Sequence, residues 1–232
     1  MADVKARYAE RDSIHDRIYE HLREALIYGE LEAGEKISVR SIATAFGVSM
    51  TPARDALKRL VWERGLDHLP NGTFRVPLLD RAEIEALREQ SKLYEELLVR
   101  KAMPNVTDKL ILELEILWGR AKMLLQKGSV TEGRKLIRQL RFKLFEASNS
   151  SWLIEAAGRV WLRRGPSAAA TYARYVESIE RVAPDFQPRL LQAARNRDAD
   201  AAAAQIAAGT DHFFNFWLAS LDQVSEDDRE ID

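Results

Sequence analysis

Apolar residues recur at helical spacing along nearly all of this 232-residue chain, and only one short stretch reads otherwise. Ile14, Ile18, Leu22, Ala25 and Leu26 predict a first helix from about Ser13 to Tyr28, stopped by Gly29. A turn over Leu31–Ile37 leads to a pair of short helices. Ser38 caps the first, whose inner residues are Ile42, Ala43 and Phe46, and Gly47 ends it in the left-handed conformation. Val48 plugs the turn, Ser49 or Thr51 caps the second helix, and Pro52 fits only in its first turn. Ala53, Ala56, Leu57 and Leu60 form that helix's inner stripe, which runs to about Arg64-Gly65. Leu66–Leu69 and Thr73–Val76 are strand-like runs around Pro70-Asn71-Gly72, a turn signal.

Beyond Leu78 the helical period returns and stays. Asp80 caps a helix reaching about Met103, with Ile84, Leu87, Leu93, Leu97 and Leu98 expected inward, and Pro104-Asn105 breaks it. Thr107 caps the next, carrying Leu110, Leu114, Leu117, Leu124 and Leu125 as far as Lys127-Gly128. A third runs from Thr131 to about Ala147, and a fourth from Asn149–Ser151 through Trp161. Gly165-Pro166 separates a fifth reaching about Val182, and a last pair covers Pro188–Ala194 and Ala199–Leu221. The acidic tail Ser225–Asp232 is expected to be disordered. The fold class is mainly α: an N-terminal winged helix-turn-helix over 1–78, an all-α antiparallel helical bundle over 79–224, and the tail over 225–232.

Composition narrows the function classes. Without cysteine there is neither a disulfide framework nor a thiolate metal site. No apolar run approaches a membrane span and the first residues lack a signal core, so a cytoplasmic protein with no membrane partner is expected. A net charge of −1 argues against a protein that coats nucleic acid. Locally, Arg40, Arg54, Lys58, Arg59, Arg64 and Arg75 outnumber Asp55, Glu63 and Asp67, which suits a site-specific binder. No Gly-rich phosphate loop, Cys–His pair or Gly-x-Ser-x-Gly elbow occurs, so no enzyme is expected. Glu113 and Glu115 read as solvated surface, and Trp118, Trp152, Trp161 and Trp217 as core or dimer contact. Phe213, Phe214, Phe216 and Trp217 read as the wall of a binding site or a subunit contact.

The second short helix carries the chemistry. Thr51, Arg54 and Lys58 fall opposite its apolar stripe, a turn apart. A guanidinium for guanine or phosphate, an ammonium for phosphate and a hydroxyl for either are the donors a DNA major groove requires. The wing tip, Asn71, Gly72 and Thr73, can lay backbone N–H groups on phosphate or enter the minor groove.

Residues Leu31–Val76 resemble the gluconate-repressor (GntR) superfamily of bacterial transcription regulators. The resemblance rests on Ala33-Gly34, Ile42-Ala43, Gly47-Val48-Ser49, Thr51–Leu57, Leu60, Gly65-Leu66 and Gly72. It places Arg40, Thr51, Arg54 and Gly72 where members of that superfamily touch DNA, with Ser49 and Met50 beside them. Met50 stands where the superfamily usually has arginine, which implies a loosened reading of one base step. The helical half is similar to the effector-binding domain of the fatty-acid-regulator (FCD-type) subfamily, on Leu144–Ser148 and Arg197–Ala203.

Many members of that subfamily hold a divalent metal through an aspartate and three histidines. In this chain the matching positions are Ile137, Arg141, Gln187 and Gly209, and His212 is the one histidine of the helical half. No metal or cofactor is therefore expected. Arg141, one turn from Ile137, is expected to hold an effector carboxylate or phosphate in place of the metal; the alternatives are a protein carboxylate partner or solvent. Gln90 and Tyr94 are expected to complete the effector site with Gln187 and His212.

The resulting expectation is a homodimeric, effector-responsive repressor on a palindromic double-stranded operator, released by a small carboxylate or acyl thioester that respaces its two N-terminal domains. The competing reading is a helical ligand-binding or scaffold protein whose DNA module has decayed.

Overall fold

The computed structural model describes residues 2–179 and 186–227, and the side chains of 14–177 and 186–221. The chain divides into two compact units: the N-terminal stretch to Leu78 together with Trp161–Ser167, and Leu79–Val160 together with Ala168 onward.

In the first unit, α1 (Ala2–Tyr28) packs on α3 (Met50–Trp62), and α3 in turn packs on α2 (Val39–Phe46). α1 starts well before the Ser13 read from periodicity. Ser38 caps α2 in a reciprocal box with Ser41, whose side chain accepts from the Ser38 backbone N–H, and Gly47 closes the helix at φ 64°. Ser49 occupies the N-cap of α3, but neither of the two hydroxyls expected to cap that helix makes a capping hydrogen bond. Pro52 lies in the first turn, as its missing N–H requires.

The wing is a three-stranded antiparallel sheet in which β3 (Phe74–Arg75) runs between β1 (Lys36–Ile37) and β2 (Asp67–His68). β1 lies in the segment the sequence marks only as a turn. Ile18, Leu22, Leu26, Ala53, Ala56, Leu57, Leu60, Phe74 and Val76 close the core, and Leu162 belongs to it.

The second unit is a bundle of α4 (Arg81–Ala102), a 3-10 turn (Met103–Asn105), α5 (Asp108–Gln126), α6 (Val130–Glu146), α7 (Ser151–Ile179, outside its Trp161–Ser167 segment), α8 (Phe186–Arg195) and α9 (Ala199–Asp227). Asp80 caps α4 with Glu83 in a reciprocal box, and Thr107 caps α5 by accepting from the Leu110 N–H. α4 lies along α9 and α5 along α6, with α8 on α9. One core gathers Leu98, Met103, Leu114, Leu144, Phe145, Leu190 and Ile206; a second gathers Ile84, Leu87, Tyr175, Phe213, Phe214 and Trp217.

Several sequence expectations are corrected. Leu93 and Leu97 face outward, 64% and 39% exposed, because the buried stripe of α4 is Ile84, Leu87, Ser91, Glu95, Leu98 and includes two polar positions. Gly165-Pro166 does not end a helix: α7 runs straight through it. A Cβ on Gly165 would come within 2.7 Å of the Ile27 Cα, so the glycine admits close crossing by α1. The expected end near Val182 lies outside the described residues. Ser225–Asp227 continue α9 instead of starting a loose tail, whose remaining residues lie outside the description. Trp152 is 82% exposed, whereas Trp217 is core. Glu113 and Glu115 are tied to neighbouring helices by Lys143 at 2.7 Å and by Arg195, and the Lys143 bond draws the Glu113 carboxyl below its ordinary pKa.

Candidate nucleic-acid interface and effector cluster

The outer face of α3 is set by its inner one. With Pro52, Ala53, Ala56, Leu57 and Leu60 buried, the 3.6-residue period turns Thr51, Arg54 and Lys58 outward, and all three are exposed. Arg40 on α2 and Ser49 and Met50 at the start of α3 are exposed as well. At the wing tip Asn71 and Gly72 are exposed and Thr73 is half-buried. Gly72 sits at φ 81°, and the Asn71 Oδ1 accepts from the Thr73 N–H at 3.1 Å, which fixes the turn.

The basic residues of this unit fall into two groups. Arg59 pairs with Asp16 at 3.1 Å and Glu63 at 3.4 Å, and its guanidinium lies 3.6 Å from the centroid of the Tyr19 ring. Arg75 and Arg163 both pair with Asp67, at 3.3 and 2.8 Å, holding the base of the wing. Burial, and next the hydrogen bond Tyr19 donates to Glu63 at 2.6 Å, raise the Tyr19 phenol above its ordinary pKa. Arg40, Arg54 and Lys58, by contrast, make no ion pair among the described residues. The helical stripe also continues past Lys58 to Trp62, which is 79% exposed and was not singled out from sequence. A bulky apolar residue at this spacing reads as core until the burial of its neighbours is known.

In the second unit a polar cluster forms inside the bundle. Glu95 on α4 is 1% exposed, and its Oε2 accepts from the Arg141 Nη1 at 2.5 Å. Arg141 therefore takes the protein-carboxylate partner that the sequence left open. Its Nε is buried without a hydrogen-bond partner, and its Nη2 lies 3.6 Å from the point a Cβ would occupy on Gly209. Phe186 touches that same point from α8, at 3.5 Å. Next to Phe186, the Gln187 Oε1 is buried and unpartnered, as is the Ser91 Oγ one turn before Glu95. His212 on α9 stacks edgewise between Phe186 and Tyr175 and shares a 2.9 Å hydrogen bond with the Tyr175 phenol. Burial raises that phenol's pKa, the neighbouring Tyr172 adds to the effect, and the charge of Arg141 opposes it.

Ile137 is half-buried one turn from Arg141, and Tyr94 packs between the two cores. Gln90 is exposed and is not brought into the cluster. The donor set does not fit a metal: no three His, Cys, Asp or Glu side chains converge among the described residues, and Arg141 puts a cation where a ligand would stand.

A winged helix with unspent cations on its recognition helix, in one chain with a helical bundle around a buried polar cluster, defines a DNA-binding regulator of transcription. Residues 14–76 match the bacterial regulatory proteins of the gntR family, and residues 83–211 match the FCD domain. The chain belongs to the GntR family of transcriptional regulators, in its FCD-domain subfamily. Regulators of this family bind DNA operators, and FCD domains bind small-molecule effectors.

The HTH-type transcriptional regulator McbR of Escherichia coli (strain K12) is 28% identical over 151 residues, which span 65% of this chain and 68% of that protein. The solved structure of E. coli McbR/YncC superposes with a TM-score of 0.79 at 25% identity, covering 91% of this chain and 98% of that one. A GntR-type transcriptional regulator from Rhodococcus sp. RHA1 shares the fold, with a TM-score of 0.72 at 20% identity over 89% of this chain and 98% of that one. Among the described residues no helix is long and apolar enough to cross a membrane.

Proposed function

We propose that this protein is a cytoplasmic, homodimeric repressor that binds a palindromic operator and releases it when a small organic acid or acyl-type effector enters the bundle. Arg54 and Thr51 read bases. Arg40, Lys58 and the wing residues Asn71, Gly72 and Thr73 hold phosphates, and Ser49 and Met50 lie against the groove edge. Met50 can pack on a thymine methyl but cannot form a bidentate bond to guanine. The effector's acidic end is held at Arg141, with Ile137, Tyr94, Gln187 and His212 around it.

One observation carries the DNA reading: Arg40, Arg54 and Lys58 are exposed and make no ion pair among the described residues, while Arg59, Arg75 and Arg163 are committed to carboxylates. An arginine held by carboxylates releases no counterions on meeting phosphate; an unpaired one does. The test is binding to the promoter DNA beside the protein's own gene at several salt concentrations, with footprinting. A steep loss of affinity with salt and protection of a two-fold site are expected. Flat salt dependence without protection would leave the scaffold reading with a decayed DNA module.

A further inference from the structure

We infer that the outer face of α5 is an interface with a second copy of this chain, in which Leu112, Ile116, Gly119 and Met123 of two antiparallel helices pair across a two-fold axis. The inference rests on the homodimer reading above and names the surface and the direction which that reading leaves open.

The spacing of what α5 leaves outside is the first argument. Ile111, Leu114 and Leu117 are buried in the core that α5 shares with α6 and α8. Leu112, Ile116 and Met123 are 58%, 53% and 47% exposed. Gly119 falls in line with them, and a Cβ there would meet nothing within 4 Å. Apolar side chains scattered singly over a surface need no explanation. These positions, however, step by four, three and four along one helix, which is the seam along which helices pair side by side. Lys109 and Gln126, both exposed, continue the seam with polar groups and so bound its apolar part.

Charge sets the direction. Glu113 and Arg120 flank the seam on one side, Glu115 and Lys122 on the other. A two-fold axis crossing it between Leu117 and Trp118 reverses the helix and keeps each flank on its own side. Leu112 then meets the partner's Met123, and Ile116 meets the partner's Gly119. Glu113 faces the partner's Arg120 and Glu115 the partner's Lys122, so each of these contacts joins opposite charges. In a parallel pair, Asp108 would face the partner's Glu113 and Lys122 the partner's Lys127, leaving only Glu115 and Arg120 matched.

The groups are placed for this. Arg120 and Lys122 make no ion pair among the described residues. Glu113 and Glu115 each use one oxygen within the chain, Oε2 on Lys143 at 2.7 Å and Oε1 on Arg195, which holds them at the flanks with a second oxygen to offer. Exposed ion pairs contribute little energy, so they choose the direction while the apolar seam supplies the affinity.

The chain has no cysteine, so introduced ones report the register. With Leu112→Cys and Met123→Cys together in the full-length chain, a short bismaleimide is expected to give a covalent dimer on denaturing gels. Either change alone is expected to give none, because each cysteine would lie about 16 Å along the seam from its own copy. In sedimentation, Ile116→Glu is expected to weaken dimerisation roughly tenfold or more, with the far-UV circular dichroism unchanged. Leu93→Glu, at a still more exposed leucine on α4, is expected to dimerise as the wild type does.

A wild-type chain that sediments as a monomer at micromolar concentration would overturn this inference and the homodimer reading together. A wild-type dimer that survives Ile116→Glu, that Leu93→Glu splits instead, or that cross-links no better with two cysteines than with one would overturn the α5 interface alone and leave the stripe to another occupant. Covalent dimer from either single-cysteine chain would overturn the antiparallel register.

Discussion

Lys58 and Arg59 are neighbours in the chain and carry the same charge, yet they have different work. Arg59 is folded against Tyr19, Asp16 and Glu63, while Lys58, a hundred degrees round the helix, meets no carboxylate among the described residues. Arg54→Ala should therefore cost about 1–3 kcal/mol of operator binding and relax specificity at one position, with Tm unchanged. Arg59→Ala should do the reverse: a loss of about 1 kcal/mol in folding stability, after discounting its half-exposed ion pairs, with operator selectivity and salt slope kept. Fluorescence anisotropy and thermal melts on both variants check the contrast.

Tyr19 and Tyr175 give a second prediction at this scale. Both phenols are raised above their ordinary value of 10.0, mainly by burial, so the native state keeps protons that the unfolded chain gives up. Their contribution to stability is thus complete below about pH 10 and is lost as pH rises further. Denaturant midpoints should fall steeply above that pH, and Tyr19→Phe should flatten the fall.

At the scale of elements, the helix-turn-helix was legible because its determinants are local. Ser38, Gly47 and Pro52 act within a turn of themselves, and the stripe Ala53, Ala56, Leu57, Leu60 is periodic by construction. Helix α7 was misread for the opposite reason. A Gly-Pro pair is a breaker in isolation, but here tertiary packing overrides it: Gly165 sits against the Leu26–Ile27 backbone of α1, and Pro166 is tolerated within the helix. Leu162 meets Gly65 in the same unit, where an added Cβ would lie 2.8 Å from its methyl. Gly165→Val should wedge α1 from this segment and cost at least about 1–3 kcal/mol, read as a lowered Tm. The same substitution at Gly119, which has open space around it inside α5, should leave Tm unchanged or raise it slightly, because valine is the better helix former by a few tenths of a kcal/mol, roughly.

At the scale of the whole molecule, the helical unit buries the Glu95 carboxylate against the Arg141 guanidinium, and no three His, Cys, Asp or Glu side chains converge among the described residues. Added EDTA should leave both Tm and effector response unchanged; a chelator-induced drop of several degrees would overturn the metal-free reading. The Arg141 Nη2 lies 3.6 Å from the point a Cβ would occupy on Gly209, and Glu95, which accepts from the Arg141 Nη1, was not singled out from sequence. Gln90, chosen by the same reasoning, is on the solvent side of α4.

The amino-acid order alone determined the modular plan: a capped two-helix unit with a wing, then a long helical half. Those features follow from backbone conformations and periodicities that a few consecutive residues set. Folding decided which polar groups are consumed and which remain available. Tyr19 finds Glu63 across 44 positions and Arg141 finds Glu95 across 46, and a charge's role depends on such distant partners, which no local pattern records.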